Sequence, residues 1–167
     1  MNNLPRLGQE ILEDKLEAYE RIGGHPKTIE LLEGWLEGHT LRQLLDDPAL
    51  GKMLSEEWEN YFLKALLSRL TAAEQETLTR MAIFRTRFDE KEMAYVGASG
   101  ATLRRWLDLS LAQREGPELY ALHPVVREYL LNRLSTDERT KLHLWAAEYY
   151  ARPFVEEAKQ ALGDEYK

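Results

Sequence analysis

Cysteine is absent from the chain. That removes any disulfide framework and any thiolate metal site, and it fits a reducing compartment. Histidine is scarce: His25, His39, His123 and His143 lie too far apart for the short ligand spacings of a zinc site, so no metal is expected. No apolar run approaches the ~18 residues of a membrane helix, and "MNNLPRLGQE" lacks the apolar segment of a signal peptide. Basic residues are in deficit, 22 against 29 acidic ones, which leaves a formal charge of −7. Such a surface repels phosphates over a Debye length, so a general affinity for nucleic acid or anionic membrane is disfavoured. A soluble, cytoplasmic protein without membrane contact is expected.

Catalytic motifs are missing as well. There is no G-x-x-x-x-G-K-[ST] Walker A loop and no Walker B strand. "GGHPKT" only imitates the former: Pro26 stands at a glycine position, has no N–H to offer a phosphate, and follows a helix rather than a strand. No G-x-S-x-G elbow, H-E-x-x-H helix or supported Ser-His-Asp order occurs. The carboxylates Glu56, Glu57 and Glu59, and Glu156 and Glu157, fall on helical segments where a solvated face explains them. The chain is therefore expected to be no enzyme by itself and to hold no cofactor.

What is present is helix. With 44% hydrophobic residues in 167, the chain can bury a core as one domain or two small ones. From Gly8 to Ile22, the residues Ile11, Leu12, Leu16, Ala18, Tyr19 and Ile22 recur at helical spacing. Gly23 and Gly24 stop that helix where a positive φ is wanted, and Pro26 opens the next at a position where its missing N–H costs nothing. The second helix carries Ile29, Leu31, Leu32, Trp35 and Leu36 and ends at Gly38. Thr40 caps a short helix over 41–45, and a long segment over 48–70 buries Leu50, Leu54, Trp58, Phe62, Leu66 and Leu67.

After Leu70 the pattern changes. Thr71 and Glu74 form a capping box ahead of a helix reaching Phe84, and helices over 89–95 and 101–109 follow. Leu109, Leu111 and Gln113, then 119–122, read as strands joined through "REGPE". Three short helices and a β-hairpin make a winged helix. Pro124 starts another helix with Val125, Val126, Tyr129, Leu130 and Leu134. Thr136 caps a segment in which Leu142, Trp145, Ala146 and Tyr149 form one half of a helical hairpin and 154–162 the other, with Arg139 a further capping partner. The expected fold is mostly α: a helical lid bundle over 1–68, a winged helix over 69–135, and over 136–167 the first hairpin of a helical-repeat array.

The order of "GGHPKTIELLEGWL", "LLSRLTAAEQETLTRMAIFRTRF", "YALHPVVREYLLNRL" and "AAEYY" resembles the region downstream of the nucleotide-binding domain in STAND-type NTPases, the signalling ATPases that include NB-ARC proteins. The resemblance implies a helical lid opened by a Gly-x-Pro motif, a winged helix whose last helix begins with a Met-His-Asp type motif, and tetratricopeptide-like repeats beyond it. Gly24 and Pro26 match the first motif, whose proline packs against the adenine of ADP; His123 matches the second, whose histidine contacts the β-phosphate. Pro124 stands where that motif has its aspartate. The implied function is nucleotide-state sensing that holds an ADP-bound resting state, with ADP or ATP bound only in the complete protein. The implied partners are an absent nucleotide-binding domain, downstream repeats and an oligomer formed on activation.

Other expectations stand beside it. Gly24 and Pro26 also make an ordinary helix stop and start, and a histidine at the beginning of a helix often caps or packs. A winged helix can bind DNA through its third helix, where Arg104 and Arg105 flank Trp106, with Arg114 in the wing. Asp108, Glu115 and Glu118 dilute that charge, so Arg104 and Arg105 are expected to pair with neighbouring acids. A helical protein-interaction scaffold anchored by Trp35, Trp58, Trp106 or Trp145 is the third possibility.

Overall fold

The computed structural model describes residues 4–84 and 87–164, without the side chains of Glu56 and 161–164. The ends of the expected outer segments, the Leu162 side chain and the Glu56 carboxylate lie outside the described residues.

The expected helix over 8–22 divides in two, α1 (Pro5–Gln9) and α2 (Leu12–Ile22), because Glu10 and Ile11 take extended ψ angles of 153° and 149°. The buried carboxylate of Glu33 accepts the Arg6 and Leu7 N–H groups at 2.9 Å each and ties the first turn of α1 to the bundle. On α2 only Asp14, Ala18 and Ile22 are buried. Of the apolar residues that recur at helical spacing, Ile11, Leu12, Leu16 and Tyr19 face outward, 57 to 69% exposed. Periodicity correctly groups Leu12, Leu16 and Tyr19 on one face, but the bundle covers the neighbouring one.

Helix α3 (Pro26–Trp35) and helix α4 (Leu41–Leu45) follow, the latter held by a Thr40–Gln43 capping box. The 48–70 segment becomes a short 3₁₀ turn at Leu50–Lys52 and α5 (Ser55–Leu67). Trp58, Phe62 and Leu66 are sealed in the core, with the Trp58 and Phe62 rings stacked at 5.7 Å. Leu54, expected among them, is 69% exposed because it precedes the helix; its N–H is taken by Glu57.

The winged helix forms as its turn and cap signals require. Helices α6 (Ala72–Met81), α7 (Glu90–Val96) and α8 (Gly100–Asp108) are all started by side-chain caps, at Thr71, Asp89 and Ser99. Strands β1 (Ala112–Arg114) and β2 (Tyr120–Leu122) pair antiparallel with Gln113 opposite Ala121. A single residue, Phe88, adds to the outer side of β2 through two backbone hydrogen bonds with Tyr120 at 2.8 and 2.9 Å. One residue has no period, so no strand pattern announced it.

Helix α9 (Pro124–Asn132) leads to α10 (Thr136–Asp164), which is one continuous helix rather than the expected hairpin. Pro153 sits inside it; its fixed φ is compatible with a helix, but it leaves the Tyr149 carbonyl without the usual N–H partner and its ring crowds that carbonyl. Ser135, not Thr136, supplies the cap, exchanging hydrogen bonds with Glu138, while Arg139 donates to the Leu131 carbonyl. Aromatic rings dock α10 on the winged helix: Tyr95 stacks on Trp145 at 4.4 Å, and Phe84 meets Trp145 and Tyr149 edge-on. The Tyr95 hydroxyl donates to the Trp145 carbonyl and the Tyr149 hydroxyl to Glu92. Burial beside Glu92 pushes the Tyr149 phenol up to about 12. Positions 151–160 all face outward.

Candidate functional site

The site begins at the turn between α2 and α3. Gly23 and Gly24 have φ of +82° and +64°. At Gly24 the left-handed backbone favours glycine, and a Cβ there would lie 2.3 Å from the Tyr19 ring, the far end of an exposed side chain that would have to move. His25 then stands at the N-cap and Pro26 at the first position of α3, exposed. Glu30 follows Pro26 by one turn of the same helix.

His123 comes to this helix from the winged helix. It is the N-cap residue of α9, fixed by backbone bonds to the Leu111 carbonyl and from the Arg127 N–H, both 3.0 Å. Its imidazole makes no capping bond; it turns inward, 3% exposed, and its Nε2 lies 2.6 Å from Glu30 Oε2. Burial is the main cause that lowers its pKa below the usual 6.5; Lys27 acts in the same direction, while Glu30 and Glu59 oppose it. The ring is therefore neutral at pH 7, and the carboxylate assigns its proton to Nε2. Nδ1 is buried without a partner among the described residues.

A cleft of about 440 Å³ beside the turn is lined by Ile22, Gly23, His25, Thr28, Ser55 and Glu59. The structure thus sets His123, through Glu30, against the helix that Pro26 opens, with Gly24 in the turn leading into that helix. Glu30 itself was not singled out from the sequence: a lone Glu on an amphipathic helix carries no signal, and its partner is 93 positions away.

The rest of the seam between the N-terminal bundle and the winged helix joins Arg105, read from the sequence as a DNA candidate or an ion-pair former, with Arg6, Arg69 and Glu37, which the sequence did not single out. Arg6 donates to the Asp108 carbonyl at 2.9 Å, and Arg105 makes a forked pair with Glu37 at 2.8 and 2.9 Å. Arg69 reaches the carbonyls of Glu37 and Trp35 and the Nδ1 of His39, and burial lowers its pKa. Glu37 so holds Arg105 of α8 and Arg69 of the turn after α5.

Of the three arginines considered for DNA, Arg105 is engaged in that seam. Arg114 donates to the Pro117 carbonyl and lies 5.2 Å over the Tyr120 ring. Arg104 is exposed. Trp35, Trp58 and Trp106 are core residues, and Trp145 is half-buried on Tyr95. Among the described residues no group of three or more His, Asp or Glu side chains is placed to hold a metal ion. No helix among them is long and apolar enough to cross a membrane. No protein-family model matches the chain, and neither a curated protein nor a solved structure does.

Proposed function

We propose that the chain is the regulatory part of a STAND-type nucleotide switch, a helical lid joined to a winged helix, acting on a nucleotide-binding domain not contained in these residues. One observation carries this: His123 of the winged helix is held against the helix that Pro26 opens, through the 2.6 Å contact to Glu30. A contact there makes the position of one module depend on the other. A phosphate bound at the same seam can compete with Glu30 for the Nε2–H, because one N–H serves one strong acceptor at a time. The module itself has no catalytic role; it retains ADP and relays the change when ADP leaves.

Binding to duplex DNA is the weaker alternative. It requires several free cationic side chains, and Arg105 and Arg114 are already engaged within the molecule.

The test is made in the complete protein, once a G-x-x-x-x-G-K-[ST] strand-loop-helix has been located in the neighbouring coding region. A hydrogen bond from His123 to phosphate is worth about 1.5 to 3 kcal/mol. His123→Ala should then accelerate ADP release by about one to two orders of magnitude and raise basal signalling. Unchanged ADP release would sink the proposal.

A further inference from the structure

We infer that the outward face of α2, with the groove beside it, docks an amphipathic helix of another polypeptide whose apolar stripe is flanked by basic residues. Docking there is independent of nucleotide sensing. Leu12, Leu16 and Tyr19 fall at i, i+4 and i+7, one continuous helical face, and are 69, 57 and 58% exposed. Ile11, the extended residue before α2, is 59% exposed as well. Contiguous apolar exposure of this kind marks interaction surfaces, whereas a scatter of single residues does not.

The stripe continues into a groove of about 230 Å³ between α1, α2 and α3, whose walls include Leu7, Leu16, Tyr19, Ile29 and Leu32. One edge of the groove is fixed by Tyr19, whose ring lies against Gly24. Lys15, on the groove side, donates to the Gly8 carbonyl at 3.3 Å. The other edge of the stripe is acidic: at 100° per residue, Glu13, Glu17 and Glu20 follow one another beside it. Glu13 and Glu20 are exposed, while Glu17 pairs with Arg21.

These features select the occupant. The groove runs between helices and offers no strand edge, and the i, i+4, i+7 spacing of Leu12, Leu16 and Tyr19 matches the stripe of a helix, which also satisfies its own backbone groups. Its flank meets Glu13 and Glu20, so lysine or arginine there is favoured and acid is rejected. A second copy of this chain is opposed by the same electrostatics. Antiparallel two-fold pairing of α2 faces sets acidic flank near acidic flank, and in any arrangement the two chains each carry −7.

The test uses the full chain and two synthetic peptides of about 20 residues with the same leucine stripe, one flanked by lysine and arginine, the other by glutamate. Titrations followed by fluorescence anisotropy should show the basic peptide binding near about 10 μM and the acidic one at least about tenfold more weakly at low salt. Leu12→Ser with Leu16→Ser should weaken the basic peptide at least about tenfold, with an unchanged melting curve, since both side chains are exposed. Glu13→Lys with Glu20→Lys should reverse the preference and touches no core residue. Equal binding of the two peptides, no binding of either up to about 1 mM, or a homodimer abolished by the leucine substitutions would overturn the inference.

Discussion

Gly34 of α3 lies directly against the carbonyl oxygen of Leu109, so closely that a Cβ on Gly34 would stand 2.1 Å from that oxygen. The neighbouring carbonyl of Asp108 accepts from Arg6, so the end of α8 is held from two sides. The N-terminal bundle and the winged helix share one continuous core at this seam.

Gly34→Ala should therefore destabilise the protein even though alanine is the better helix former. The backbone oxygen cannot swing aside as a side chain can. Overpacking costs about 1 to 3 kcal/mol, and the propensity gain of up to about 1 kcal/mol offsets only part of it. A lowered urea midpoint with an unchanged far-ultraviolet helical signal is the expected result. A more stable variant would show that the seam opens without cost.

The His123–Glu30 contact predicts a coupling energy. Glu30→Ala and His123→Ala should each destabilise, and the double variant should lose less than the sum, by about 1 kcal/mol or more for a buried bond to a charged acceptor. Additive losses in the double-mutant cycle would place the two side chains apart in solution.

Acid should weaken the fold through the same histidine. Its folded pKa is depressed below 6.5, chiefly by burial, so the unfolded chain binds the proton more readily. The stability contribution is complete above about 6.5 and is lost as pH falls from there through the folded pKa. Urea midpoints at pH 7.5 and 5.5 should differ less in His123→Gln, which keeps a donor for Glu30 but cannot titrate. Equal pH dependence in the two proteins would contradict a buried neutral ring.

The two neighbouring arginines of α8 should behave differently. Arg104→Glu, on an exposed side chain, should alter stability by no more than about 0.5 kcal/mol. Arg105→Glu places like charge against Glu37 and should cost about 1 kcal/mol, limited because both partners are about one-third exposed. Wild-type protein should give no gel shift with duplex DNA at physiological salt. Sub-micromolar binding lost in the double variant would restore the DNA alternative.

Docking of α10 rests on Trp145, stacked on Tyr95 and met edge-on by Phe84. Trp145→Ala should cost about 3 kcal/mol and expose the backbone amides around 145 to faster hydrogen exchange. Exchange unchanged there would mean that the ring cluster does not hold the helix.

The amino-acid order alone determined the elements whose causes are local. Thr71 with Glu74 starts α6, Gly23 and Gly24 end α2, Pro26 and Pro124 open α3 and α9, and "REGPE" turns the hairpin, each within a few residues. It also brought Gly24, Pro26 and His123 to notice through short motifs. What only the tertiary structure decided is which face each helix buries and which distant residue meets which. Period 3.6 puts Leu12, Leu16 and Tyr19 on one side of α2 but is silent on whether anything covers that side. Glu30 opposite His123, Glu37 opposite Arg105 and Arg6 opposite Asp108 join positions 93, 68 and 102 apart. Such pairs depend on how the turns aim whole helices and on how tightly Gly34 lets α3 approach Leu109. No local spacing encodes that geometry, because packing and desolvation act between elements only after the elements have formed.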